Sequence, residues 1–312
     1  MIQYFKNAGG QTIEIDKPEN GTWVNILPPL KQEEFADLSE TLDIPVDFLT
    51  DSLDIDERSR FETEDNVKLI VLKTPTENNS FNESDAYYIT IPICIILTHG
   101  QIVTVNSFEN GAIKKFLNTF KNRNPDKKSM MVLKIFEKVV QNYMEYLKDA
   151  NQRRNLLEQR LYQLGRNEDL LQLVRIQKSM VYFTTALRSN EVLMSKLVRT
   201  NFLQLNDEEK EFLEDLIVDN AQALEMAGIY TNILASTMNA FSNILAGDRN
   251  SILRWLTATG VVLSLPLMVA VLFCMKIPLP LSDSPATFYL VPLVCLAISG
   301  GACAYFIRNK YF

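Results

Sequence analysis

Apolar positions recur on three different rhythms along this chain, and each predicts a different kind of element. Residues 1–128 mix short strand-like and short helical runs. Thr22–Pro29 reads as a strand entering a proline-rich turn, while Phe35, Leu38 and Leu42 fall at helical spacing. A second short helix follows Pro45. Residues Asn66–Pro75 and Ala86–Ser107 are β-branched and aromatic, with Gly100 marking a turn. Pro92 predicts a sheet edge or a strand break at that point. Phe108–Asn122 reads as one more helix, completing a mixed α/β domain.

From residue 129 to 205 the period turns helical. Two amphipathic helices, broken at Gly165, Arg166 and Asn167, predict an antiparallel hairpin. A third helix opens at residues 206–251, with Asn206 as N-cap and Glu209 three positions later in a capping-box pattern. No proline interrupts it before Pro266, so it predicts a stalk running straight into the next segment, on the order of 90 Å long. Its stripe of Leu216, Ala223, Ala227, Tyr230, Leu234, Met238, Phe241 and Leu245 needs partners from its own hairpin or from other copies.

The last third of the pattern is continuous apolar sequence. Between Arg254 and Lys276 about 21 residues carry no charge, enough to cross a hydrocarbon core of roughly 30 Å. A second uncharged run, Ser284 to Ile307, follows a short loop. Two such spans predict a membrane hairpin, because lipid cannot satisfy exposed backbone groups. The boundaries read as a first span over 252–276, an external loop over 277–284, a second span over 285–307 and a basic tail over 308–312. Arg249, Arg254, Arg308 and Lys310 flank the spans on one side, against Lys276 and Asp283 in the loop. The positive-inside rule then places both termini in the cytoplasm of a multi-pass plasma (inner) membrane protein.

Composition changes this picture only at its margins. A net charge of −7 over 312 residues argues against a nucleic-acid partner. The first residues lack the basic-then-apolar pattern of a signal peptide. Cys94, Cys274, Cys295 and Cys303 show no CxxC spacing, so neither a zinc site nor a disulfide framework is indicated. No phosphate loop, nucleophile–base set or cofactor motif points to an enzyme. Asp51, Asp54, Asp56, Glu57, Glu62, Glu64 and Asp65 form an acidic run, but Arg58 and Arg60 interrupt it. It reads as a solvated face rather than a hard-cation site. His99, beside Gly100, reads as a turn residue.

Candidate chemistry lies in the first span. Asn250, Leu253, Thr257, Ser264 and Leu267 recur at spacings of three, four and seven, which puts them along one helical face. A polar stripe in a membrane helix lines water or glues helices together. Continuing a charged stalk, it favours a pore. A two-span hairpin cannot enclose one alone, so either the chain oligomerises around the first span or it is not a channel.

At this point the chain resembles the CorA family of divalent-cation channels over nearly its full length. The segment Thr22–Glu62 is similar to the family's opening strand, helix and acid–arginine run, and Asn167–Leu197 to the middle helices of its bacterial members. Leu213–Phe241, then Asn250–Thr257 and Pro266, resemble the stalk helix entering the pore, and Phe306–Phe312 the basic ending. The resemblance implies a homopentameric funnel with an α/β cytoplasmic domain, long stalk helices and a two-helix transmembrane hairpin. It places Asn250 near the cytoplasmic mouth and Leu256 with Thr257 at the family's Leu-Thr pair. Rings of Leu253 and Leu256 would gate by excluding water. It implies no cofactor beyond a divalent cation such as Mg²⁺ as substrate or gating ligand, and assigns no metal ligands.

One departure bears on function. Where the family carries Gly-Met-Asn at the outer end of the first span, this chain has Cys274, Met275 and Lys276. Mg²⁺ keeps its waters and needs oxygen acceptors, so a ring of ammonium groups at the mouth would repel it unless the lysines turn toward the headgroups. The stalk stretch Asn-Asn-Leu-Asn is here Gly247, Asp248, Arg249 and Asn250. Three readings stay open: a cation channel with altered selectivity, an anion-permeable channel, and a non-conducting ligand sensor.

Overall fold

The computed structural model describes residues 2–8, 11–27, 34–78, 85–106, 111–120, 127–164, 167–274 and 287–308. It divides into two compact units, Met1–Thr237 and Met238–Phe312.

The first unit is built on one seven-stranded sheet. Its strands are β1 (Ile2–Ala8), β2 (Gln11–Ile15), β3 (Trp23–Ile26), β4 (Arg60–Glu64), β5 (Val67–Glu77), β6 (Tyr88–Leu97) and β7 (Ile102–Asn106). They lie in the order β2-β1-β3-β7-β6-β5-β4, antiparallel throughout except for β3 against β7. The first hairpin, β1–β2, is not among the elements predicted from the apolar pattern. Between β3 and β4 come α1 (Glu34–Leu42), α2 (Val46–Thr50) and a 3₁₀ turn at Asp51–Leu53. Helix α1 buries Phe35, Leu38 and Leu42 at the predicted spacing, against Val24, Val71 and Ile96 of the sheet.

Pro92 sits in β6, a central strand, rather than at an edge or a break. The register explains why it is tolerated. The β6–β7 ladder ends at Ile93 opposite Asn106, so Pro92 lies one residue beyond it. Across from it, Lys73 turns its backbone N–H and C=O to the far side, toward Asn190. Residues 73 and 92 are therefore a non-hydrogen-bonded pair, and no β5 bond is lost at the proline.

The opposite face of the sheet carries three helices: α3 (Gly111–Phe120), α4 (Lys128–Leu164) and α5 (Asn167–Thr200). Helices α4 and α5 pack on β5 and β6. Tyr143, Phe183 and Tyr88 meet there edge-on or stacked, all fully buried. The predicted break at Gly165 and Arg166 lies outside the described residues. Helix α6 (Asp207–Cys274) opens with both halves of the predicted capping box. The Glu209 N–H donates to Asn206 Oδ1 at 2.8 Å, and the Asn206 N–H donates to Glu209 Oε2 at 2.9 Å. Ser129 of α4 donates to the same carboxylate at 2.7 Å. Burial works to raise the Glu209 carboxyl, but the Asn206 N–H, the Ser129 hydroxyl and Lys127 together hold it below its ordinary value. Further along α6, Leu216, Ala223, Ala227 and Leu234 of the predicted stripe are buried within this unit.

The second unit holds the rest of α6 and α7 (Thr287–Arg308). Pro266 lies inside α6 and Pro292 inside α7.

Candidate functional site

Within α6, Ile252–Val271 is long and apolar enough to cross a membrane, with a mean hydropathy of 1.7. Only 6% of that window is buried, which separates it from the core helix of a water-soluble domain. In α7 the apolar stretch Pro292–Arg308 is shorter.

The two helices meet along narrow faces with the same spacing. On α6, Ala258 is buried and Val262, Leu265, Pro266 and Val269 are half-buried. On α7, Cys295, Ser299, Ala302, Cys303 and Phe306 are half-buried. Small residues on α7 let the backbones approach, the usual means of packing helices in lipid. The Cys295 thiol lies 3.9 Å from the Pro266 carbonyl oxygen. Near the other end, Phe306 lines a cleft of about 230 Å³ with Asn250, Leu253, Arg254, Thr257 and Ala258. Both contacts fit an antiparallel pair.

The stripe singled out from sequence lies elsewhere on α6. At about 100° per residue, Leu253, Ser264 and Leu267 of the stripe, together with Leu256, centre about 180° around the helix from the Ala258–Val269 face, with Thr257 and Asn250 on their flank. All six are exposed in the chain: Leu253 at 54%, Leu256 at 60% and Leu267 at 65%. Among the described residues α7 thus packs on one side of α6, meets Asn250, Leu253 and Thr257 only across the cleft that Phe306 lines, and leaves Leu256, Ser264 and Leu267 exposed. The α7-facing residues are apolar or small, so in the sequence nothing but their spacing distinguishes that face from the rest of the span.

The hydroxyls on this helix have a fixed polarity. Thr257 Oγ1 donates to the Leu253 carbonyl at 2.8 Å, Thr259 Oγ1 to Trp255 at 2.9 Å and Ser264 Oγ to Val261 at 2.9 Å. Each proton is turned back into the helix, so what the oxygen offers outward is its lone pairs. Along this face Thr257 and Ser264 are acceptors, suited to a cation or to the water protons of a hydrated one. Helix α6 ends at Cys274. The Cys274 side chain, Met275, Lys276 and Asp283 lie outside the described residues.

The acidic run of the first unit is organised by Arg60, which interrupts it in the linear sequence. Arg60 donates to Asp51 at 2.5 Å, to Glu57 at 2.8 Å and to Glu62. Partial burial raises the Asp51 carboxyl against the pull of Arg60. Asp54 instead accepts the Asp56 N–H at 2.9 Å, closing its own turn. Among the described residues no three His, Cys, Asp or Glu side chains are arranged to hold a metal ion. His99 lies in the bend after β6, and its carbonyl accepts Lys128 Nζ at 2.8 Å.

Comparison with known proteins places this geometry in context. A family model described as CorA-like Mg²⁺ transporter protein matches residues 19–308. The cobalt/magnesium transport protein CorA of Methanocaldococcus jannaschii is 25% identical over 280 residues, covering 88% of this chain and 86% of the relative. The complete structure of the CorA magnesium transporter from that organism superposes with a TM-score of 0.87 at 23% identity, over 100% of this chain and 99% of that one. The cytoplasmic domain of ZntB from Vibrio parahaemolyticus shares the fold with a TM-score of 0.58 at 12% identity, covering 80% of this chain and 97% of its own.

Proposed function

This chain belongs to the CorA-like Mg²⁺ transporter family, and on that premise we propose that it forms a homopentameric divalent-cation channel of the inner membrane with an altered outer mouth. In this reading residues 1–128, the hairpin 129–205 and the stalk 206–251 are cytoplasmic. The spans are 252–276 and 285–307, joined by an external loop at 277–284, with both termini inside. Five copies of α6 surround the ion path, and α7 forms the lipid-facing layer.

The observation that carries the proposal is the two-sidedness of α6. Its Ala258–Val269 side packs on α7, while Leu253, Leu256, Thr257, Ser264 and Leu267 stay exposed among the described residues, Leu253 and Thr257 at the rim of the cleft with Phe306. Self-association around that side gives the exposed leucines a packed environment and produces a conduit with alternating apolar and acceptor rings. Leu253 and Leu256 close it by dewetting. Thr257 and Ser264 present lone pairs to an ion that keeps its water shell, as Mg²⁺ does. Asn250 adds an amide oxygen at the cytoplasmic mouth. This polarity favours cations over anions.

Lys276 is the departure from the family's mouth. Five ammonium groups there weaken the hold on a hydrated dication in proportion to how far they face the axis. The test is flux through purified protein in liposomes for Mg²⁺, K⁺ and chloride, with Lys276→Asn alongside. The expected result is a Mg²⁺ flux that rises about tenfold on Lys276→Asn. A chloride flux abolished by the same substitution would establish an anion path instead. Silence toward all three ions in both proteins would leave a non-conducting sensor.

A further inference from the structure

The first unit contains a second cavity chemistry that ion conduction does not use. Between the outer edge of β5 and helix α5 lies an open cavity of about 650 Å³, a size suited to a mononucleotide. Three cations line it from three separate segments: Arg58 from the loop after the 3₁₀ turn, Lys73 from β5 and Arg188 from α5. Asp56 is the one carboxylate among its lining residues. Neither Arg58 nor Arg188 is ion-paired among the described residues, in contrast to Arg60 two positions on, which holds three carboxylates.

The floor of the cavity is rigidly built. Asn190, fully buried, fixes Lys73 by bonding both its backbone N–H at 3.0 Å and its C=O at 2.8 Å, and accepts the Ser59 hydroxyl at 2.7 Å. The Lys73 ammonium donates to the neutral Ile55 carbonyl at 3.0 Å. Its burial holds its pKa below the ordinary lysine value despite the fields of Asp56, Asp54 and Glu57. A half-buried ammonium that hydrogen-bonds to a neutral carbonyl, with carboxylates acting on it only through space, gains from an anion in direct contact. The α5 wall of the cavity is of different character. Val181 and Tyr182 stand exposed there, about two turns from Arg188, so an aromatic face adjoins the cationic end.

We propose that this cavity binds a nucleoside diphosphate or triphosphate, with the phosphates on Arg58, Lys73 and Arg188 and the base on Tyr182. Guanidinium pairs suit phosphate oxygens, and an exposed ring with an apolar neighbour suits a planar base. The inference does not depend on which ion the chain transports, because binding is read without any flux.

The test is titration calorimetry of the full-length protein in lipid nanodiscs, with EDTA present, using ADP, pyrophosphate and adenosine as probes. ADP is expected to bind saturably, one per chain. Arg58→Gln and Arg188→Gln are each expected to weaken it about tenfold or more. Tyr182→Ala is expected to weaken ADP while leaving pyrophosphate unchanged, and Lys138→Gln, on α4 and outside the lining of the cavity, to change neither. Arg188→Lys separates charge from fork geometry and supplies a second variant should the glutamine form fail to assemble. No saturable ADP binding, or binding that both glutamine variants leave intact, would overturn the site. Equal affinity for ADP and pyrophosphate would overturn the role of Tyr182.

Discussion

The side-chain amide of Asn190 completes the sheet at Lys73, where a strand is missing. Strand β4 stops at Arg60 opposite Val71, so the outer edge of β5 is bare from there on. Asn190 supplies a donor and an acceptor to the next outward-facing residue, as a neighbouring strand would. Tyr143 adds a second donor to the Lys73 carbonyl at 3.1 Å. Replacing Asn190 by Ala strands a buried N–H and opens a void. The expected cost is about 2–3 kcal/mol, read as a lowered denaturant midpoint of the full-length protein. Asn190→Asp, which keeps the acceptor but loses the donor, is expected to fall between. A loss below about 0.5 kcal/mol would show that water replaces the amide freely.

The two sides of α6 are expected to respond differently to substitution. Leu253→Ser and Leu256→Ser wet the constriction and are expected to raise resting Mg²⁺ leak about tenfold, measured with a fluorescent indicator inside liposomes. Ala258→Leu forces a larger side chain against α7, where Ala258 is 2% exposed. It is expected to destabilise the hairpin by about 1–3 kcal/mol without altering ion preference. If Ala258→Leu changed selectivity while Leu256→Ser did nothing, the assignment of faces would be reversed.

Glu209 ties the start of α6 to α4 and gives the junction a pH dependence. Its folded-state pKa lies below the ordinary value of 4.5. Its contribution is therefore complete above that value and is lost as pH falls through the lower, folded one. Melting temperature is expected to drop as pH falls below the ordinary 4.5, with Glu209→Gln less stable at neutral pH by about 0.5–2 kcal/mol. That variant is expected to lack this share of the acid-side loss. Parallel acid limbs for the two proteins would show that the carboxylate is not what titrates.

How much of this was legible in the sequence varies with the range of the interactions involved. The capping box at Asn206 and Glu209 was readable because both halves lie within one turn. Helix α1 was readable because Phe35, Leu38 and Leu42 carry their own period. Pro92 was misplaced because a proline's tolerance depends on where the neighbouring ladder stops, which no local window contains. Arg60 reads as an interruption in a linear acidic run and becomes its organiser only when the chain turns back on itself. On α6, the stripe through Leu253, Thr257 and Ser264 follows from spacing alone. That α7 would cover the other side required both helices at once. The Asn190–Lys73 bridge joins residues 117 positions apart, and no pattern foretells it.

Ion flux by the unmodified protein tests the central claim most directly. Purified protein in liposomes would be given an inward gradient of Mg²⁺, K⁺ or chloride in turn, with the interior ion followed over time. The expected result is Mg²⁺ entry well above that of protein-free vesicles, with chloride at background. Chloride entry without Mg²⁺ entry, or no entry of any ion, would contradict a divalent-cation path along the uncovered face of α6.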